Sequence, residues 1–518
     1  PYFRRFPTKF EIMSFVTPFV INLNMGIDGK TWAFDVTDYT PFLKGNKRLT
    51  VERGGQWQED LDIRFLYIVG TPVREVLDIQ QIWPVDKKSF ASISANTSFE
   101  PRDVMMNPAG SYFKIRTMVT GHGQEGEFIP RDHFINLNGG VKEFNWQAWK
   151  ECGYNPVYPQ GGTWIYDRAG WCPGMATDLK EWDITNLVTA GQVTEIDYGI
   201  NSATGTSDYI VNNQLVTYGA ANFSLDASAI DIVSPSSKIE YERMGSLCQG
   251  PVVRIQNTGS TILTSLTINY WVNNAATPET YSWTGYLGFM ETEDVILPVA
   301  NVWDNLNPTS NVFHIEVLAP NGGADGYSYN NKVHSPFEIP PVLSNDFYVW
   351  FKTNNAGYES SYELLDDAGN VVINRSGMSN NTHYRDTVSL PNGCYTLKVY
   401  DTGHDGIDFW ANSDGSGFLQ FRSSINNAFV AQFEPDFGAE INYTFTVNYP
   451  LSFEDLNPIT KTVVYPNPAS DRVTLEMANV KDATVQFYSS TGQLLNLNSV
   501  LHDGKMTFNT ASLSPGVY

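Results

Sequence analysis

The densest concentration of chemically competent side chains lies in TGHGQEGEFIPRDH (120–133). Glu125, Glu127, Arg131, Asp132 and His133 crowd together there between glycines at 121, 123 and 126. Carboxylates and an arginine at this spacing can orient water, take a proton or fork onto an oxygen, so hydrolysis or polar binding is the chemistry on offer. An acidic surface loop is the plainer reading of the same residues. A second acidic stretch, DTGHDGID (401–408), sets Asp401, Asp405 and Asp408 around glycines. Hard oxygen ligands in such a turn can hold Ca²⁺, although the pattern is not an EF-hand loop and lacks its closing glutamate; a polar hairpin turn is the alternative. The seven histidines form no HExxH, no HxH and no tight His/Cys cluster, and His122 and His133 are too loosely spaced to read as a metal site. There is no GxSxG elbow, no phosphate loop and no strand-GxGxxG-helix context. No cofactor is expected beyond a structural calcium.

The elements that must position these groups are strands. Short alternating runs bounded by Gly, Pro, Asn and Asp recur throughout, among them RLTVERG, IRFLYIVG, YFKIRTMVTG, SLTINYWV, FYVWFKT and CYTLKVYD. Period-2 patterning at this density predicts an all-β chain of antiparallel sandwiches. At ~100–200 residues per domain, 518 residues predict roughly three to five domains. The pattern divides them into 1–75, 84–229, 237–333, 340–450 and 465–518, with SPSSK (234–238) as a linker. The third unit reads as a seven-strand sandwich of the immunoglobulin-like kind. Aromatic residues such as Phe34, Phe65 and Tyr67 are expected to fill an apolar seam between the first two units.

A net charge of −23 argues against broad capture of nucleic acid or an anionic membrane surface. No apolar run is long enough to span a bilayer. Low Lys/Arg content with abundant Tyr, Trp, Asn and Gly reads as extracellular. The four cysteines permit one or two bridges. Cys152 and Cys172, separated by a turn-rich stretch, are a candidate pair, and two buried thiols are the alternative. Cys248 and Cys394 fall in different units and are expected not to pair with each other. The chain opens at Pro1 without an initiating Met and closes at Tyr518 inside a strand-like pattern, so both ends read as cut.

The stretch CGYNPVYPQGGTWIYDRAGWCPGMA (152–176) resembles the cysteine loop of the bacterial peptide-N-glycosidase F family, with the DRAGWCPGM core unbroken from Asp167 to Met175. The likeness extends to the alternating run from Arg131 to Asn138, to FVTP (15–18), FDVTDYTPFLKGN (34–46) and VGTP (69–72), and covers about residues 8–225. It implies two adjacent antiparallel jelly rolls with a cleft between them, a Cys152–Cys172 disulfide, and metal-independent hydrolysis of the glycosylated asparagine amide. By position, Glu127 matches the family's essential cleft glutamate and Arg168 the arginine that reaches the cleft from the cysteine loop. Sugar and amide contacts are expected from Glu52, Trp57, Glu59, His122, Glu125, Arg131, Asp167 and Trp171. The family's water-activating aspartate precedes the strand that matches KFEIM; no residue before Glu11 is Asp, so it is expected upstream of Pro1. The cysteines that flank the glutamate in the family's typical enzyme correspond here to Glu125 and Ile129, and a Trp–Gly pair becomes His122–Gly123.

The tail from Tyr465 (YPNPASD, FYSSTGQLL, LSPGVY) resembles the C-terminal sorting domain of the type IX secretion system. That implies export across the outer membrane, with release or surface attachment. The expected partners are N-glycosylated proteins or glycopeptides and the secretion machinery, acting on a monomer. A non-catalytic glycan-binding or adhesion protein is the second reading. A copper-dependent monooxygenase is a remote third, since such enzymes need His/Met ligands in both jelly rolls and the first 229 residues hold only His122 and His133.

Overall fold

A computed structural model describes residues 9–447, apart from 20–22, 24, 26–28, 53, 55–59, 202–204, 245–246 and 300–301. It also describes 463–465, 469–476, 485, 487–488, 494–495, 497, 499–502 and 505–513. Two compact units, 1–449 and 450–518, account for the chain.

The alternating runs after residue 73 become sheets. Strands β1 (Arg74–Ser89), β2 (Arg102–Met105), β3 (Tyr112–His122), β4 (Arg131–Leu137), β5 (Lys142–Ala148), β6 (Leu179–Asp183), β7 (Val193–Ile200) and β8 (Asp208–Ala221) form two four-stranded antiparallel sheets. Their orders are β1-β8-β3-β6 and β2-β7-β4-β5. Between them lies a core that includes Trp83, Phe113, Ile115, Ile135, Tyr198, Tyr209, Val211 and Leu215. Two short helices, α1 (Phe90–Ser94) and α2 (Gln124–Phe128), interrupt the strand succession. Strand β8 is covered on both faces. Tyr209, Val211 and Leu215 point into the sandwich, while Val216 and Tyr218 point out against Tyr39, Phe10, Ile12 and Phe42 of the N-terminal segment.

That segment departs from expectation. Among the described residues before Arg74 there is a 3₁₀ turn at Thr37–Tyr39 and an isolated bridge between Phe15 and Ala176, but no sheet. A strand pattern becomes a strand only where a neighbour takes up its N–H and C=O groups. RLTV and IRFLYIVG lie unpaired, with Leu49, Val51, Leu66, Ile68 and Val69 exposed. Tyr67, expected in the seam, is 70% exposed. Residues 14–19 instead run along the cysteine loop, exchanging backbone bonds between Val16 and both Met175 and Gly174, and between Phe19 and Gly161.

The next sandwich has seven strands: β9 (Ala227–Ser234), β10 (Val252–Asn257), β11 (Leu263–Val272), β12 (Glu279–Leu287), β13 (Thr292–Ile296), β14 (Asn311–Leu318) and β15 (Lys332–Phe337). They are ordered β13-β10-β9 and β12-β11-β14-β15. The last large sandwich comprises β16 (Val342–Leu343), β17 (Asp346–Lys352), β18 (Ser360–Leu365), β19 (Val371–Arg375), β20 (His383–Ser389), β21 (Gly393–Asp401), β22 (Phe418–Ser423), β23 (Phe429–Gln432) and β24 (Glu440–Val447). Its sheets, β16-β24-β21-β18-β19 and β20-β17-β22-β23, enclose Phe347, Val349, Phe351, Leu397, Phe421 and Phe445.

Cys248 and Cys394, expected apart, form a disulfide with Cα atoms 5.4 Å apart. The reason is the path of residues 235–250. After β9, residues 236–241 stay bonded to Asp231, Ser335 and Pro336 of their own sandwich, and from Arg243 the chain reaches the following one. Arg243 donates to the carbonyls of Phe437 and Glu440 and sits over the Tyr158 ring, and this delivers Cys248 to β21.

In the terminal unit, Arg472–Glu476 pairs with Val463–Tyr465 and with Lys505–Asn509, which also pairs with Ser499–His502; Phe487–Tyr488 pairs with Leu494–Leu495. Parts of the tail motifs, including residues 466–468, 489–493 and 514–518, lie outside the described residues. Among the described residues no helix is long and apolar enough to cross a membrane.

Candidate functional site

Strand β3 runs to His122, and the chain then folds back over the strand end as α2. Only glycine permits that fold. A Cβ on Gly121 would stand 1.9 Å from the Gly126 carbonyl oxygen, and Gly123 has φ +78°. The cysteine loop closes on α2 from the other side, stapled by the Cys152–Cys172 disulfide that the family likeness implies. Ala169 N donates to Glu127 O and Gly121 N to Ala169 O, each at 2.9 Å. At Gly170, with φ +76°, a Cβ would meet the Val119 carbonyl oxygen at 2.1 Å. Strand end, short helix and loop therefore form one laced backbone unit.

Glu127 and Arg168 meet within it. Arg168 Nε donates to Glu127 Oε1 at 2.9 Å. The arginine side chain is 1% exposed and the glutamate 21%. Burial lowers the guanidinium pKa, and the charge of Glu127 works against that pull. The other four N–H groups of Arg168 reach the carbonyls of Trp164, Tyr166 and Thr163 and the Thr163 hydroxyl. The Trp171 and Phe128 rings flank it, with centroids 4.9 and 5.2 Å from Cζ. Arg168 is thus committed inside the protein, and the partly exposed carboxylate of Glu127 is the member of the pair that a ligand can reach. Trp171 Nε1 donates to Gly121 O at 3.1 Å, and its ring lies near-parallel to that of His122 at 6.3 Å. His122 Nε2 is 2.9 Å from the Thr120 hydroxyl, and burial, with Lys87 nearby, lowers its pKa.

The remaining sequence candidates separate from this pair. Glu125 accepts from Thr206 N at 3.1 Å and lies 3.9 Å from Arg131, whose guanidinium stacks 4.4 Å over the Phe90 ring. Both groups pin the approach to β8. Asp167 accepts from Cys152 N at 2.9 Å and holds the base of the loop; burial raises its pKa. Glu52 pairs with Lys9 at 3.1 Å, with both side chains more than 70% exposed. Trp57 and Glu59 lie outside the described residues. His133 is enclosed in the core, Nδ1 2.7 Å from the Tyr198 hydroxyl, its pKa pushed down by burial to about 3.

Asp401 and Asp405 come together with Glu359, their nearest carboxylate oxygens all within 4.8 Å of one another, while Asp408 stands apart and exposed. Asp401 is 3% exposed and accepts from the backbone N–H groups of Asp405 and Gly406. Burial, with Asp405 and Glu359 adding repulsion, pushes its pKa up to about 7. Glu359 carries no local sequence signal for this grouping; only the pairing of β18 with β21 places it there.

Sequence reasoning also missed that the sandwich of residues 342–447 abuts the cysteine loop. The Trp164 indole, 0% exposed, donates to Asp436, with both carboxylate oxygens at 3.1 Å, and Ala439 N donates to Gly153 O at 2.8 Å. Trp410 Nε1 donates to Gly162 O at 2.7 Å, and the rings of Tyr166 and Phe409 are 5.8 Å apart.

Residues 90–217, which include both Glu127 and Arg168, match the family model for the C-terminal domain of peptide-N-glycosidase F. Residues 463–518 match that of a secretion-system C-terminal sorting domain. A curated relative from Elizabethkingia miricola, peptide-N(4)-(N-acetyl-beta-D-glucosaminyl)asparagine amidase F, is 25% identical over 249 residues, spanning 44% of this chain and 66% of that protein. The solved structure of PNGase F, a glycosylasparaginase from Flavobacterium meningosepticum, is 24% identical with a TM-score of 0.27, covering 29% of this chain and 55% of that one. The chain thus spans somewhat under two thirds of its curated relative. The sorting domain marks the protein for type IX export, to the medium or the cell surface.

Proposed function

We propose that this protein hydrolyses the glycosylated asparagine side-chain amide of N-glycoproteins or glycopeptides. The observation that carries the reading is the Glu127–Arg168 pair, held at 2.9 Å within the stretch that matches the amidase family model. Water adds to the amide carbon, the C–N bond to the sugar-bearing nitrogen breaks, and that nitrogen leaves protonated. The products are aspartate and a glycosylamine, which a second water converts to the free glycan and ammonia. Amide resonance opposes the first step, so the water needs a base and the carbonyl oxygen needs donors. Glu127 orients the first sugar and the amide. Arg168 acts through Glu127 as a positioning residue, fixing one carboxylate oxygen so that the other keeps a set direction.

The test is mass spectrometry of a denatured N-glycoprotein treated with the complete protein, scoring intact glycan and the Asn-to-Asp mass gain on the same peptide. Glu127→Gln keeps the side chain's size and loses its charge. Removing a charge-assisted hydrogen bond worth roughly 1.5–3 kcal/mol in the transition state predicts a loss of about ten- to a hundred-fold. Absence of both products across several glycan types, from the folded complete protein, overturns the amidase reading. Saturable glycan binding without release then supports a binding protein on the same fold.

A further inference from the structure

The sandwich of residues 342–447 reaches the cysteine loop with one unusual side chain. Trp410 is 68% exposed, yet its indole N–H is tied to the Gly162 carbonyl, so the ring is held in one orientation with a face to solvent. Rings connect it to the candidate site without a break. Phe128, next in sequence to Glu127, meets Tyr166 edge-on at 6.2 Å; Tyr166 meets Phe409 at 5.8 Å; Phe409 lies 6.1 Å from Trp410. Phe409 is buried and supports the row, while Tyr166, 40% exposed, and Trp410 present its accessible faces. Carboxylates border this row. Asp408 adjoins Phe409, and Glu434 and Asp408 both act on Asp436 beneath Trp164. Fixed aromatic faces take up the C–H face of a pyranose, and carboxylates accept from its hydroxyls while repelling anions. That combination suits a neutral, hydroxyl-rich ligand.

We infer that Trp410, with Tyr166, forms a carbohydrate subsite that holds the outer sugars of the glycan whose inner end lies at Glu127. This rests on the proposed amidase reading for the position of the inner sugar. The sandwich of residues 342–447 is then part of the substrate site, and its length of contact sets a preference for extended glycans over short stubs.

The experiment uses the complete protein and two glycopeptides, one with a two-sugar stub and one with a full branched glycan. Trp410→Ala is expected to lower kcat/KM about ten-fold on the branched substrate and to leave the stub within about two-fold. Trp410→Phe, which keeps an aromatic face and loses the Gly162 hydrogen bond, should retain most of the branched-substrate rate. Equal losses on both substrates, or a Phe variant as poor as the Ala variant, would show that Trp410 merely docks the sandwich and overturns the subsite. No loss on the branched glycan overturns it too. If the unaltered protein releases no glycan at all, the amidase reading fails separately. Calorimetric titration with free branched oligosaccharide then decides the subsite: saturable binding abolished by Trp410→Ala supports it, and no binding by the unaltered protein ends it.

Discussion

The jelly roll of residues 74–221 is gripped on two sides, and the two grips use an aspartate in opposite ways. On the N-terminal side, Asp38 inserts from the 3₁₀ turn against β3 and β8. It pairs with Arg116 and Lys114 and accepts from the Tyr218 hydroxyl at 2.6 Å. Burial alone would raise its pKa, but the two cations and the tyrosine outweigh burial and hold it below the usual aspartate range. On the other side, Asp436 accepts from Trp164 in a partly buried pocket, and the groups that act on it include the carboxylates of Glu434, Asp408 and Asp405. Burial and this repulsion push its pKa up to about 7. The same side chain is a compensated ion at one seam and a strained one at the other. Asp38 is therefore stabilised as an ion at neutral pH, whereas Asp436 titrates there, as does Glu11 on the N-terminal side, raised to about 7 chiefly by burial.

The sandwich on the second side also has a covalent tie, to the segment that follows β9. Cys248–Cys394 closes a span of 146 residues, and the segment bearing Cys248 also carries Arg243 onto the carbonyls of Phe437 and Glu440. Loop-closure entropy for a span of this size corresponds to about 5 kcal/mol. The largest expected effect is therefore on the Cys248→Ala/Cys394→Ala double variant. Its thermal transition for residues 227–447 should fall well below that of the parent, with proteolysis beginning between 235 and 250. A transition unchanged in calorimetry would show that the non-covalent contacts suffice.

Asp38→Asn comes next. Removing the anion leaves Arg116 and Lys114 in a mostly buried site with Glu181 as their remaining carboxylate, so the cost should fall somewhat below the roughly 3–5 kcal/mol of an uncompensated buried charge. Limited proteolysis should then cut within residues 9–52 while the 342–447 sandwich stays protected. The pH response of the parent follows from the sign of the shift. A carboxyl whose folded pKa is depressed contributes stability present above its unfolded pKa and lost as pH falls through the folded value. The Asp38 contribution should be lost only below about pH 4, whereas Glu11 of the same segment, raised to about 7 chiefly by burial, adds a loss of the opposite sign as pH rises through neutrality. Asp38→Asn should abolish the loosening below about pH 4 and leave any change between pH 6 and 8 as in the parent; an unchanged acid response would contradict the assignment.

These contrasts mark what could be read in advance. The jelly-roll strands were legible because their residues alternate with period two; β4 buries what the alternation says, whereas β3 is buried on both faces over 115–119. The cysteine loop was legible because its DRAGWCPGM core is rigid enough for every residue to matter. Glu127 and Arg168 were identified by that likeness, but the commitment of the arginine to the carbonyls of Thr163, Trp164 and Tyr166 depends on the loop's own conformation, which no spacing rule conveys. Asp38 stood in a recognised motif, yet its role depends on Arg116 and Tyr218, brought together by strand pairing far along the chain. The Cys248–Cys394 bond was misjudged because unit boundaries were drawn from turn residues, whereas the connecting segment follows apolar and carbonyl contacts of the next sandwich. RLTV and IRFLYIVG were read as sheet from pattern alone, and pattern does not supply the partner strand.

The smallest and most specific effect concerns Asp436. A carboxyl with its folded pKa raised to about 7 binds its proton more tightly in the folded state than in the unfolded one. Its favourable contribution is thus fully present below the unfolded pKa near 4 and is lost as pH rises through 7. After allowing for its partial contact with water, about 1–2 kcal/mol should leave the second seam between pH 5.5 and 8. Asp401, also raised to about 7 but facing Asp405 and Glu359 at the other end of this loop region, adds a slope of the same sign. Comparison with Asp436→Asn separates the two. The amide oxygen still accepts from Trp164, the charge is gone, and only the contributions of Asp401 and of Glu11, also raised to about 7, should remain. Melting temperatures of parent and variant, taken across pH 5.5–8 at fixed ionic strength, should coincide at the acid end and diverge above pH 7, with the variant the more stable. Parallel curves would mean that Asp436 does not titrate at this seam, and the contrast with Asp38 would then be one of geometry alone.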